Sequence, residues 1–167
     1  MNPYYLHRDV LLKTTARSVM ELPLLTHAHM HASSKAAVTQ KTHILPLVTA
    51  LTLVSGQRPI LTRAKASIAS FRLRKHQLLG CKVTLRGHRL GPFVYTFLYA
   101  VLPRLRDFTP PRVAATQTVL GMSTFLSFPQ LEEQYDIFEH AGGCAITMTT
   151  SSHAPLVLSW YGLPTRA

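Results

Sequence analysis

The run Ser70-Phe71-Arg72-Leu73-Arg74-Lys75-His76-Gln77-Leu78-Leu79-Gly80-Cys81-Lys82-Val83-Thr84-Leu85-Arg86 alternates apolar and basic residues in two short arms. Successive strand residues point to opposite faces, so Phe71 and Leu73 in one arm face one way, as do Cys81, Val83 and Leu85 in the other. Arg72 and Arg74, with Lys82, Thr84 and Arg86, face the opposite way. The pattern predicts a basic β-hairpin over Ser70–Lys75 and Cys81–Arg86, turning at His76–Gly80, with one face packed and the other meeting an anion. The fold it implies is a single-domain α+β structure: a mostly antiparallel or mixed sheet packed against helices, with the basic hairpin protruding.

Charge around this run is lopsided. No acidic residue lies between Glu21 and Asp107, whereas thirteen Lys and Arg do, nine of them between Arg58 and Arg89. The formal charge is +11 over 167 residues. A field of one sign repels its own parts until a polyanion neutralises it, which points to nucleic acid. The 47% hydrophobic content argues against a disordered basic tail, since such a chain can bury enough apolar surface to offset the entropy of ordering.

Working outward, residues 3–17 have the spacing of a modest amphipathic helix, and Leu25–Ala32 alternates as a strand with His27, His29 and His31 on one face. Apolar positions from Val38 to Val54 predict a helix kinked or started late at Pro46 and closed at Gly56. A short strand follows at Ile60–Thr62. Phe93–Leu102 reads as a helix buried all round and stopped by Pro103, with Phe93, Phe97, Leu98 and Val101 as core candidates. Strands are expected at Leu120–Phe128 and Cys144–Thr150, separated by a Gly142-Gly143 turn. Cys81 and Cys144, 63 positions apart, read as reduced, buried thiols.

No apolar run nears the roughly 20 residues that span a bilayer, so no membrane partner is expected. The opening Met1-Asn2-Pro3-Tyr4-Tyr5 lacks the basic and apolar regions of a secretory signal. Phosphate-loop, dinucleotide, nucleophile-elbow and HExxH spacings are missing, and the basic centre holds no acid to act as a general base; no cofactor and no catalytic residue is expected. His27, His29 and His31 could project together as metal ligands, but an RNA contact by stacking or hydrogen bonding accounts for the same face.

Four stretches then carry a resemblance: Ser55-Gly56-Gln57-Arg58-Pro59-Ile60-Leu61-Thr62-Arg63-Ala64-Lys65-Ala66-Ser67, Phe71-Arg72-Leu73-Arg74, Gly80-Cys81-Lys82-Val83-Thr84-Leu85-Arg86-Gly87 and Pro103-Arg104-Leu105-Arg106-Asp107-Phe108. In this order they resemble the bacterial-type large-subunit ribosomal protein five family. The likeness is strong over 55–108, moderate over 1–31 and faint after 109. It implies a structural constituent of the large ribosomal subunit in the central protuberance. Such a protein binds 5S or 5S-like rRNA and adjacent large-subunit rRNA, contacts neighbouring ribosomal proteins including one of the small-subunit head, and extends a loop toward P-site tRNA. By matching motif, Gln57, Arg58, Thr62, Arg63, Lys65, Lys82, Thr84 and Arg86 would join the three histidines in binding RNA. Arg72, Arg74, Lys75, His76 and Gln77 would form the tRNA-proximal loop. The chain then divides into 1–54 (helix, strand, helix), a basic RNA-binding core over 55–108 and a diverged part over 109–167.

The chain also departs from that pattern. His31-Ala32-Ser33-Ser34-Lys35 stands where the family usually has Asn-Met-Gly-Val-Gly, and the Arg-Gly-Asn-Tyr loop expected after Phe108 is missing. Such erosion in a basic, oily chain suggests a mitochondrial ribosome, with plastid or bacterial cytoplasm as the alternatives. A free-standing RNA chaperone or assembly factor would share the RNA-binding chemistry, and a metal-dependent RNA-processing enzyme would use the three histidines.

Overall fold

Alternation decides the sheet. The computed structural model describes residues 11–13, 17–106, 108–111, 113–114, 116–152 and 154–165. Five strands, β1 (Leu25–Ser33), β2 (Ile60–Arg63), β3 (Leu78–Arg86), β4 (Gln117–Met122) and β5 (Cys144–Thr150), form one antiparallel sheet in the order β2-β3-β1-β5-β4. Every second residue points inward: Ala28, Met30 and Ala32 on β1, Cys81, Val83 and Leu85 on β3, and Cys144, Ile146 and Met148 on β5 are all buried. These are the faces that the period-2 pattern predicts.

Helices cover that inner face. α1 (Ile44–Ser55) buries Leu47, Ala50 and Leu51 against the sheet. Pro46 sits in its first turn, where a missing N–H costs nothing, so the late start is the correct half of the expectation. Gly56 closes α1 at φ 62°, its N–H donating to the Thr52 carbonyl at 2.9 Å. α2 (Leu90–Thr96) runs on as a π-turn over Phe97–Val101, with Phe93, Phe97 and Val101 buried and Leu98 half-buried. The Phe93 and Phe97 rings stack at 6.1 Å. Short helices α3 (Tyr135–Phe138) and α4 (Ala154–Trp160) add Phe138, Val157 and Leu158 to the buried set. Among the described residues no helix is long and apolar enough to cross a membrane.

Several expectations need correction. The hairpin is built by β2 and β3; Ser70–Lys75 is no strand. Ala69–Phe71 is a single 3-10 turn, Phe71 is exposed, and Arg72 takes a left-handed φ of 54°. Alternation there has no sheet to lie on, and only the isolated Ile68–Leu73 bridge survives. The helix after Gly87 is not buried all round, because Tyr95 and Tyr99 lie on its outer side with their rings 4.7 Å apart. β4 begins at Gln117 and ends at Met122; Phe125 and Phe128 are buried from the turn beyond it. Of the helix expected over 3–17, Leu11–Lys13 is helical, and most of the rest lies outside the described residues.

Candidate nucleic-acid interface

The register of β1 on β3 lines up the residues that the charge pattern singles out. His27 pairs with Arg86, His29 with Thr84 and His31 with Lys82. Directly paired antiparallel residues share a face, so all six side chains stand on the outer side of the sheet, opposite the helices. On the other flank of β1, Thr149, Thr147 and Ala145 pair with the same three histidines. Lys82, Arg86 and His31 are exposed; His27, His29 and Thr84 are half-buried. Sequence reasoning missed the β5 threonines as site residues, although the strict alternation of Cys144–Thr150 carried the signal.

His27 and His29 are held in a polar network. The Thr26 hydroxyl donates to the Thr149 carbonyl at 2.8 Å and lies in hydrogen-bond contact with His27 Nδ1 at 3.1 Å. His29 Nδ1 meets the Thr84 hydroxyl at 2.9 Å, and the His27 and His29 rings touch edge to face at 4.6 Å. Burial first, then His27, Arg86 and Lys82, pushes His29 below the usual imidazole range. A metal ion would meet these same cations, and among the described residues no group of three His, Cys, Asp or Glu is placed to hold one.

The remaining expected residues fall into two groups. Thr62 on β2 pairs with Gly80, and Arg63 ends the strand exposed beyond a register shift. Gln57 and exposed Arg58 occupy the link from α1, and Lys65 stands exposed just past β2. Separately, residues 64–77 leave the sheet as a tied loop. Ala64 N–H donates to the Gln77 carbonyl at 2.8 Å and His76 N–H to the Ala64 carbonyl at 2.9 Å. Gln77 ties the loop inward, accepting from Arg74 N–H at 3.0 Å through its side-chain oxygen and donating from Nε2 to the Val38 carbonyl at 2.9 Å. His76, like Arg72, has a left-handed φ. Arg72, Arg74, Lys75, His76 and Gln77 thereby line one cavity of about 460 Å³ with Val38 and Lys41. Lys41 escaped prediction, since the helical spacing read from Val38 to Val54 marks apolar positions and says nothing of which polar residue meets the loop; Lys41 lies in a 3-10 turn ahead of the helix. No lining residue is acidic, so the cavity suits an anion.

Cys81 and Cys144 lie inside the sheet, their thiols pushed up by burial to about 11 and about 12. The acidic segment forms a 3-10 stretch, Pro129–Gln134, followed by α3; Glu132 accepts from Arg104 at 2.8 Å between exposed side chains.

Comparison with known proteins agrees with this arrangement. Two family models match in tandem: "Ribosomal protein L5" over residues 18–74, and the model for the C-terminus of the same ribosomal family over 78–158. The large ribosomal subunit protein uL5 of Ureaplasma parvum is 36% identical over 149 residues, covering 87% of this chain and 80% of its own length. That of Lactobacillus johnsonii is 35% identical over 158 residues, covering 88% and 85%. That of Buchnera aphidicola is 31% identical over 170 residues, covering 95% and 92%.

Proposed function

The chain belongs to the L5 family of large-subunit ribosomal proteins, and from that premise we propose that its outer sheet face and its 64–77 loop bind RNA inside the large subunit. It is a structural constituent of the ribosome, in a family that does no catalysis. The observation that carries the RNA reading is the register that sets His27, His29 and His31 beside Arg86, Thr84 and Lys82 on the uncovered side of the sheet. Lys82 and Arg86 supply charge for phosphates, while imidazoles and hydroxyls supply hydrogen bonds to riboses and base edges. Gln57, Arg58, Thr62, Arg63 and Lys65 extend this surface, so the basic core over 55–108 is the RNA-binding part. Its ligand is 5S or 5S-like rRNA with adjacent large-subunit rRNA of the central protuberance. The loop Arg72–Gln77, braced on Val38, reaches P-site tRNA, and its acid-free cavity supports contact with a phosphate.

The acidic stretch Glu132–Glu139 fits a basic ribosomal protein, and a contact with a protein of the small-subunit head belongs to the same reading. Loss of the family's Asn-Gly stretch at His31–Lys35 and of the loop after Phe108 supports a mitochondrial ribosome, whereas the relatives compared above are bacterial.

Sedimentation of organelle lysate in high salt, followed by sequencing of RNA crosslinked to the chain, tests this. Co-migration with the large subunit and crosslinks from residues 57–86 are expected. Migration at the top of the gradient refutes residence in the particle and leaves an assembly factor, and recovery only from a bacterial or plastid fraction refutes the mitochondrial assignment.

A further inference from the structure

The C-terminal end of α1 and the first turns of α2 leave between them a groove of about 460 Å³, within the size range of small-ligand sites. Its walls are apolar: Leu53 and Val54 from α1, Pro92 and Phe93 from α2, and Phe128 from beyond β4. Its mouth is cationic, formed by His88 and Arg89, and none of the residues lining it is acidic. The Arg89 guanidinium donates to the Gly56 carbonyl, which fixes it across the end of α1. An apolar slot with a tethered cation at its lip matches a flat, unstacked base attached to a phosphate.

Position favours RNA over an acidic peptide. Gly87 joins the mouth directly to Arg86 of the outer sheet face, and Gln57 and Arg58 follow Gly56 on the opposite lip. RNA held at Arg58 and Arg86 and turning round this end of the sheet toward the helices would therefore pass the opening. Resting on the reading that this face binds RNA, we propose that the groove receives one unpaired nucleotide of the bound RNA, its base between Leu53 and Pro92 and its phosphate at Arg89 and His88.

Two hairpin RNAs of one sequence test the proposal with the full chain, one fully paired and one carrying a single bulged 2-aminopurine. The native protein is expected to bind the bulged hairpin about ten-fold more tightly, with a change in 2-aminopurine emission, as insertion of a base against apolar walls requires. Thr96→Trp, which fills the groove from α2, should abolish that preference and spare binding of the paired hairpin. Leu53→Glu should do the same from an exposed position on the rim, so the answer does not depend on the bulkier variant folding. Equal binding of both hairpins by the native chain overturns the groove assignment alone. Binding of neither overturns the sheet-face reading with it. A preference that survives Leu53→Glu, or groove crosslinks in intact particles to an acidic protein segment instead of RNA, likewise overturns it.

Discussion

Replacing Lys82 and Arg86 together by glutamine removes two exposed cations that β3 presents on the outer sheet face while leaving the inner face untouched. The residues are four apart on one strand, about 14 Å at the usual strand rise of ~3.4 Å per residue. That exceeds the screening length of roughly 10 Å at 0.1 M salt, so each should neutralise its own phosphate and the two losses should add. Each neutralised duplex phosphate contributes about −0.9 to the slope of log affinity against log salt. If about six of the nine cations between Arg58 and Arg89 meet phosphates, the native slope is roughly −5 and that of the double variant roughly −3.5. From 50 to 200 mM salt, the affinity gap between the two proteins should narrow by about twelve-fold, the fourfold salt range raised to the power ~1.8. Fluorescence anisotropy of labelled 5S rRNA over that range reads both slopes. Exposed substitutions of this kind usually stay within about 0.5 kcal/mol in stability, so thermal melts should nearly coincide. Equal slopes for two equally stable proteins would refute the placement of phosphates on this face, and a native slope near −1 would refute extensive phosphate contact altogether.

Other consequences are more local. A side chain at Gly80 would put its Cβ 2.2 Å from the Ala32 carbonyl oxygen across the β1–β3 pair, so Gly80→Ala should cost about 1–3 kcal/mol by urea denaturation. Gly121→Ala, with nothing within 4 Å, should cost little or stabilise slightly; equal effects would contradict the strand geometry. Because His29 titrates below its ordinary 6.5, the unfolded chain binds more protons than the native one just under that pH. Native stability should therefore fall as pH drops from about 6.5 through the lowered value, and His29→Gln should flatten that part of the urea-midpoint profile; an unchanged profile refutes the shift. Cys81 and Cys144, held protonated at neutral pH, should resist iodoacetamide until the protein unfolds, and mass spectrometry showing fast native alkylation would overturn their burial.

The strands were legible where an alternating segment has neighbours on which to pair. Leu25–Ser33, Cys81–Arg86 and Cys144–Thr150 each carry small or apolar residues at every second position, and each lies inside the sheet. Phe71-Arg72-Leu73-Arg74 has the same pattern and is not a strand. Its backbone is set instead by the left-handed Arg72 and His76 and by the tie from Gln77 to Val38, 39 residues away, which local pattern cannot encode. All-round burial of the segment after Gly87 fails at Tyr95 and Tyr99, because a tyrosine is apolar by composition while its hydroxyl lets it stand at the surface. At the candidate interface, sequence identifies Lys82, Thr84, Arg86 and the three histidines separately. Their shared face follows from the β1–β3 register, and Lys41 joins the loop cavity only through the packing of its segment against residues 72–77.

That register also bears on why the centre of the face carries histidine and not lysine. β1 is flanked on both sides, by β3 and by β5, which leaves the outer side chains of His27 and His29 half-buried, whereas β2 and β4 have an open edge. A permanent charge at position 29 would sit half-buried between Lys82 and Arg86 in a region with no acid from residue 22 to 106, and in the free protein nothing nearby would offset it. An imidazole avoids this penalty by staying neutral, as the lowered value of His29 requires, and still offers a ring nitrogen for hydrogen bonding. Phosphate arriving beside Lys82 and Arg86 reverses the balance, since it favours the charged form that the free protein disfavours. Binding to this face should therefore take up protons, and affinity should rise with falling pH over the same interval in which the free chain loses stability.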